Sequence, residues 1–198
     1  LAYLSAGEAH ESRDWWPSVR EKPFIVEPSP EWPGAHRVDI RAKAWRDLFL
    51  GKIVPAAIER GYAGVMLDTL DVAEHLESSA PARFAGSLDA AASLVEELRA
   101  RYPSIAVVVN NALPLLERLG PVIDGVLVED VYTLCLPSSE SCVKTPRALR
   151  VRKENALRGF VAKSGKPVFV LIYAWPSERG GRLVRKSLAR ARALGFFP

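Results

Sequence analysis

Short apolar runs rich in β-branched residues alternate along the chain with longer segments whose apolar positions recur at helical spacing. The runs predict strands at Ala2 to Ser5, His36 to Ile40, Gly64 to Leu67, Ile105 to Val109, Gly125 to Val128 and Val168 to Tyr173. Their hydrophobicity is continuous rather than alternating, as expected for a parallel sheet covered on both faces. The longer segments predict helices near 43–59, 87–101, 112–119, 147–164 and 180–194. Ser87 is expected to cap the second, and Gly61, Gly165 and Gly195 to stop three of the others. Pro55 should kink the first helix or mark a new start.

Strand–helix alternation of this kind reads as an α/β fold, a (β/α)8 TIM barrel forming one domain over 1–198. The barrel is expected to be incomplete, with its first strand missing and its last truncated at Phe196-Phe197. An open doubly wound sheet is the alternative, but no Gly-rich phosphate loop follows any run; the first run leads into SAGEAH. The stretch from His10 to Ala35 fits neither period and carries Trp15, Trp16 and Trp32 among several prolines. It is expected to be a long irregular loop that faces substrate.

Composition adds boundaries rather than detail. With 198 residues, 48% hydrophobic and 25% charged, the chain has material for a core. No run of about 18 apolar residues offers a membrane span. The chain opens at Leu1 within an apolar run and closes at Pro198, so both ends are expected to be cuts in a longer protein. Net charge is +4, but residues 1–100 hold 11 Lys/Arg against 16 Asp/Glu, and 101–198 hold 16 against 7. The late basic residues fall mostly on two predicted helices. With no aromatic-interleaved basic motif or finger spacing, solvated helix faces account for them and no nucleic-acid partner is expected. Cys135 and Cys142 match no zinc spacing. They would pair as a local disulfide in an exported protein and stay free thiols in a cytosolic one.

In parallel α/β folds the chemistry sits at the carboxyl ends of strands. Those ends offer Ser5, Gly7 and Glu8; Asp39 and Arg41; Asp68 and Asp71; Asn110 and Asn111; Glu129 and Asp130; and Tyr173 with Trp175. Any single Asp or Asn there is first a turn residue. Asp68, closing GVMLD, and Glu129, closing GVLVE, together form a pair suited to glycoside hydrolysis, one carboxylate attacking or stabilising the sugar cation and the other protonating the leaving oxygen. Trp and Tyr faces would stack on sugar rings, and Arg13, Asp39 and Asn110 could hold hydroxyl or amino groups. A rival reading groups Asp68, Asp71 and His75 as oxygen-rich metal ligands on and beside a helix; against it, Asp71 reads as a cap and His75 as exposed. A second rival is a carbohydrate-binding or structural barrel without catalysis.

The stretches AYLSAGEAHESRDWW, HRVDIRAKAWRDLFLGKI, ERGYAGVMLDTLD, VVVNNA and GVLVEDVYT, in this order, resemble the endo-α-1,4-polygalactosaminidase family, to which Pel-type exopolysaccharide hydrolase domains belong. The resemblance implies a (β/α)8 barrel, export or surface attachment, no cofactor, no metal and a galactosamine-containing polysaccharide as partner; it leaves the oligomeric state open. It makes Asp68 the nucleophile and Glu129 the acid/base, with Tyr3, Glu8, Arg13 and Asn110 lining the sugar subsite; from their places after strands, Asp39, Tyr132 and Tyr173 are expected to bind substrate as well. Endo cleavage with retention is expected, and because a galactosamine polymer is cationic and the second half of the chain basic, the cleft is expected to be locally acidic with the Arg-rich helices turned away from it.

Overall fold

The computed structural model describes residues 1–136 and 140–198, with the side chain of Leu136 outside the described set. The tip of the TLCLPSSESCVKTP loop, at 137–139, therefore lies outside the described residues. The chain divides into two compact units, Leu1–Ile123 and Asp124–Pro198.

In the first unit β1 (Ala2–Ser5) lies parallel to β5 (Gly64–Asp68), which lies parallel to β6 (Ala106–Asn110). Register places Ser5 beside Asp68 and Leu67 beside Val109, so the three strands end level with one another. Val65, Leu67, Val107 and Val109 are fully buried, which explains why these runs carry no polar alternation. Gly64 is needed for close approach: a Cβ there would lie 2.2 Å from the Ala106 carbonyl oxygen.

Between β1 and β5 the expected parallel strand at His36 to Ile40 does not form. β4 (Ala35–Val38) instead runs antiparallel between β2 (Glu8–His10) and β3 (Ile25–Pro28). The segment HRV has polar residues at two of three positions, which suits a small sheet rather than a doubly covered strand. The stretch expected to be an irregular loop is thus partly a sheet, and Trp15 and Trp16 pack inward while Trp32 is exposed. Trp15 meets the buried Trp45 edge-on at 5.8 Å between ring centroids, and Trp16 stacks on His36 at 4.6 Å.

The first helical segment is α1 (Lys43–Leu48), a π-helical turn over Phe49–Ile53, and α2 (Val54–Glu59). Pro55 lies just after the π-helical turn, through which the backbone stays helical (Ile53 φ −70°, Val54 φ −64°), so the helix takes up the proline by this local widening and continues. After β5 come α3 (Asp71–Ser79), the single turn α4 (Pro81–Phe84) and α5 (Ser87–Arg101). Ser87 does not cap α5. Gly86, at φ 81°, is the cap residue, and the Glu77 carboxylate accepts from the N–H groups of Gly86 (3.2 Å) and Leu88 (2.8 Å). The Ser87 hydroxyl turns away and donates to the Phe84 carbonyl at 2.8 Å. α6 (Leu116–Leu119) follows β6.

In the second unit β7 (Gly125–Val128) lies parallel to β10 (Val168–Val170), with the hairpin β8 (Thr133–Leu136) and β9 (Ser141–Lys144) and helix α7 (Arg147–Ser164) between them. Gly165, at φ 67°, closes α7 as its pattern predicts. β10 is shorter than the expected run to Tyr173. After α8 (Arg182–Ala193), Phe197 forms a parallel bridge to Phe169, exchanging backbone hydrogen bonds of 2.8 Å with Val168 and Val170. Cys135 and Cys142 face each other directly across the hairpin and form a disulfide. Strand–helix order with parallel pairing in each unit gives the chain the α/β fold of TIM barrels, present in part. Among the described residues no helix is long and apolar enough to cross a membrane.

Candidate active site

The carboxyl ends of β1, β5 and β6 bring three of the expected residues together. Asp68 closes β5, and its carboxylate has hydrogen bonds on both oxygens. Tyr3 on β1 donates its hydroxyl to Oδ2 at 2.7 Å, while Asn110 on β6 donates Nδ2 to Oδ1 at 2.9 Å. The Thr69 N–H adds a third bond, to Oδ1 at 2.8 Å. Parallel registration puts these groups side by side: Tyr3 sits two residues before the end of β1, and Asn110 is the last residue of β6. Desolvation, followed by the hydrogen bond to Asp68, pushes the Tyr3 hydroxyl well above the ordinary tyrosine range, so it stays a donor. Arg13 lies within electrostatic reach of that hydroxyl and opposes the shift.

Glu8 approaches from β2, only 9% exposed and directly opposite Arg37 on β4. Burial raises its pKa, the Ser29 hydroxyl and the Arg37 charge counter it, and Glu31 and Asp68 push it up further. Arg37 is itself buried and shared, donating to Glu27 at 3.0 Å and Glu31 at 3.3 Å and meeting His75 Nε2 at 2.7 Å. Sequence reasoning missed Arg37, since an arginine in HRVD gives no sign of burial.

Asp39 does not join this group. Arg41 closes its carboxylate with two bonds of 2.8 Å and a third from the backbone at 3.1 Å, and holds its pKa below the usual carboxylate range. The same guanidinium donates to the carbonyls of Arg83 and Ala85 and lies over Phe84. Asp39 thereby anchors the turn before α5, a structural duty.

In the second unit Glu129 follows β7 directly, half-buried, with Asp130 after it. Lys153 on α7 donates Nζ to the Glu129 carbonyl at 2.7 Å, and the Thr145 hydroxyl donates to the Asp130 carbonyl at 3.1 Å. Burial raises the Asp130 pKa, and the Lys153 charge opposes it. Tyr132 is 3% exposed, beside the buried Glu154, and burial followed by that carboxylate raises its pKa. Glu154 pairs with Arg190 at 3.0 and 2.8 Å, and this guanidinium holds it below the usual glutamate range. Tyr132 is thus a core residue of this unit, whereas Tyr173 is 39% exposed.

Three strand ends share one backbone feature. Thr69, Asn111 and Asp130 adopt positive φ, at 61°, 50° and 55°, each directly after Asp68, Asn110 and Glu129. A side chain in this region costs on the order of 1–3 kcal/mol and concentrates at functional sites. Thr69 and Asp130 carried no sequence signal for it. Among the described residues no group of three His, Cys, Asp or Glu side chains could hold a metal ion; His75, exposed, serves Arg37 instead.

Comparison with known proteins fits this geometry. The structure superposes on the glycoside hydrolase domain of PelA from Pseudomonas aeruginosa with a TM-score of 0.82 and 25% identity, over 99% of this chain and 75% of that one. Ega3 of Aspergillus fumigatus, solved with galactosamine, gives a TM-score of 0.60 and 17% identity over 85% of this chain and 58% of that one. An α-galactosidase from Thermus thermophilus, solved with p-nitrophenyl α-D-galactopyranoside, gives 0.55 and 16% over 98% of this chain and 42% of that one. The latter two likenesses concern the fold. No curated protein sequence matches the chain. Residues 1–198 match the sequence model of glycoside-hydrolase family GH114, and with strand-end carboxylates in place the chain belongs to that family and is a glycosidase.

Proposed function

We propose that this glycosidase cleaves α-linked galactosamine-containing polysaccharide within the polymer and with retention, using Asp68 as nucleophile and Glu129 as acid/base. The observation that carries the reading is Asp68 at the end of β5, oriented through both oxygens by Tyr3, Asn110 and the Thr69 N–H. A nucleophilic carboxylate gains rate from being held in one attack geometry. Asp68 would attack the anomeric carbon while Glu129 protonates the departing oxygen; Glu129 would then take a proton from the water that releases the sugar. Tyr3 and Asn110 would hold Asp68 in line and contact the sugar beside it, and Arg13 and Tyr173 would contact neighbouring hydroxyls.

Galactosamine bound to Ega3 and an α-galactoside bound to the Thermus enzyme support an α-galacto-configured sugar. An amino sugar is supported by the acidic balance of the unit that holds Asp68, since an ammonium group seeks carboxylates. That unit holds 13 Lys/Arg against 17 Asp/Glu, whereas Asp124–Pro198 holds 14 against 6. Export to the cell surface or beyond is supported by the Cys135–Cys142 disulfide, a bond that persists in oxidising compartments.

The test is incubation with α-1,4-galactosamine, N-acetylgalactosamine and galactose polymers, with masses and anomeric configuration of products followed in time. Oligomers of mixed length with α-anomers first are expected from the galactosamine polymer. Monomers alone sink the endo mode, β-anomers sink retention, and binding without cleavage favours a carbohydrate-binding role.

A further inference from the structure

We propose that Thr69 is a positioning residue for Asp68, holding β1 and β5 at the one spacing at which Tyr3 and the Thr69 N–H both reach the carboxylate. This rests on the reading of Asp68 as nucleophile.

The starting point is an anomaly of residue type. After β6 and β7 the positive-φ position is filled by Asn111 and Asp130, residues whose short polar side chains tolerate it. After β5 it is filled by a threonine at φ 61°, whose branched Cβ crowds its own backbone in that conformation. Asn, Asp or Gly would sit there with less strain, so the threonine must supply something they lack. A γ-hydroxyl one carbon from the main chain is that thing. It donates to the Asp68 carbonyl at 2.7 Å, accepts from the Gly7 N–H at 2.8 Å, and stands 2.7 Å from the Ser5 hydroxyl, which can donate to it. One donor and two acceptor positions exhaust what a hydroxyl can do.

Those partners lie on either side of the pair that matters. Ser5 is the last residue of β1, two after Tyr3, and in register with Asp68. Gly7 follows, and a Cβ on it would come within 2.0 Å of the Thr69 carbonyl oxygen and 3.0 Å of Val72 Cβ. The hydroxyl ties the two strand ends together and the bare glycine allows the approach. Ala6 completes the joint, its N–H bonding the Asp68 carbonyl at 2.9 Å while the buried Trp45 indole donates to the Ala6 carbonyl at 2.9 Å. The Thr69 N–H, one atom from that joint, bonds Asp68 Oδ1 at 2.8 Å. Thr69 thus orients the carboxylate with its backbone and fixes the neighbouring strand with its side chain.

The experiment measures kcat, KM and Tm for Thr69→Gly, Thr69→Asn, Thr69→Ser and Gly7→Ala on α-1,4-galactosamine oligomers, beside Asp68→Asn. Glycine and asparagine accept the backbone and lack the γ-hydroxyl. Both variants are expected to keep or raise Tm, with kcat down by about 10- to 100-fold and KM within about twofold, as a misplaced reacting group predicts. Serine keeps the hydroxyl and should restore kcat to within about threefold of the parent. Gly7→Ala, acting from the other strand, should reproduce the kcat loss. Parental kcat in both Thr69→Gly and Thr69→Asn, or a loss confined to KM, or a serine variant no better than glycine, overturns the proposal. If Asp68→Asn is inactive while the Thr69 variants are normal, the positioning role alone falls; if Asp68→Asn keeps parental kcat, the nucleophile reading falls and takes this one with it.

Discussion

At the end of β5 three donors converge on a carboxylate, and at the end of β7 a lysine binds a backbone carbonyl. Asp68 receives three donors on its carboxylate, from three separate strand ends of its unit. Glu129 is anchored through its carbonyl by Lys153, while Thr145 takes the next carbonyl and the Glu154–Arg190 pair braces the helix behind. Both acids follow a buried apolar strand and precede or include a positive-φ turn, so local sequence treats them alike. The two ends differ in what brings partners to them: parallel register carries side chains from two neighbouring strands onto Asp68, whereas the Glu129 carbonyl is met by a lysine from the following helix.

The largest effect should come from Asp68→Asn, expected to lower kcat by at least about 10⁴-fold on polymer and on aryl α-galactosaminides alike, because no other group forms the covalent intermediate. Steady-state rates on both substrates check it. Glu129→Gln is expected to lose about 10²- to 10⁴-fold on polymer but much less in the first step on an aryl glycoside whose leaving group needs no proton. Burst kinetics with such a substrate would separate the two acids; equal losses on both substrates would erase the proposed division of labour.

Effects on stability are smaller. Arg190→Met strands the buried Glu154 and is expected to cost about 2–3 kcal/mol, less than a fully buried pair because Arg190 is half-exposed. Urea unfolding at neutral pH measures it. The sign with pH follows from the depressed Glu154: its contribution is fully present above the ordinary glutamate pKa and is lost as pH falls through the lower folded value. In the Arg190→Met protein that acid-side loss should flatten. Last, replacing Cys135 and Cys142 with serine is expected to cost about 2 kcal/mol, the entropy of closing so short a loop, with kcat little changed. A large kcat loss would tie the hairpin to catalysis.

Strand positions were legible wherever burial on both faces made the run continuous, as at GVMLD, AVVVN and GVLV. The reading failed at His36 to Ile40, where a half-polar run was taken for a barrel strand. It failed again at Ser87, because the cap of α5 is supplied by Glu77 from an adjacent helix. At the site, the acids Asp68 and Glu129 were visible as breaks in apolar runs, and family likeness singled out Tyr3 and Asn110. Arg37 and Thr69 were invisible, the first because burial of an arginine depends on its carboxylate neighbours, the second because threonine does not advertise positive φ.

What the sequence determined by itself is the repeating strand-and-helix order and the placing of an acid at the end of the GVMLD and GVLVE runs, because hydrophobic period is a local property of the chain. Only the tertiary structure decided which groups meet the Asp68 carboxylate. Tyr3 reaches Asp68 across 65 residues and Asn110 across 42, through the register of parallel strands. Asp39, equally polar and likewise placed directly after a strand, is closed by an arginine two residues away. Register and turn geometry fix hydrogen-bond partners to within tenths of an ångström, and no local pattern of residue types carries that information.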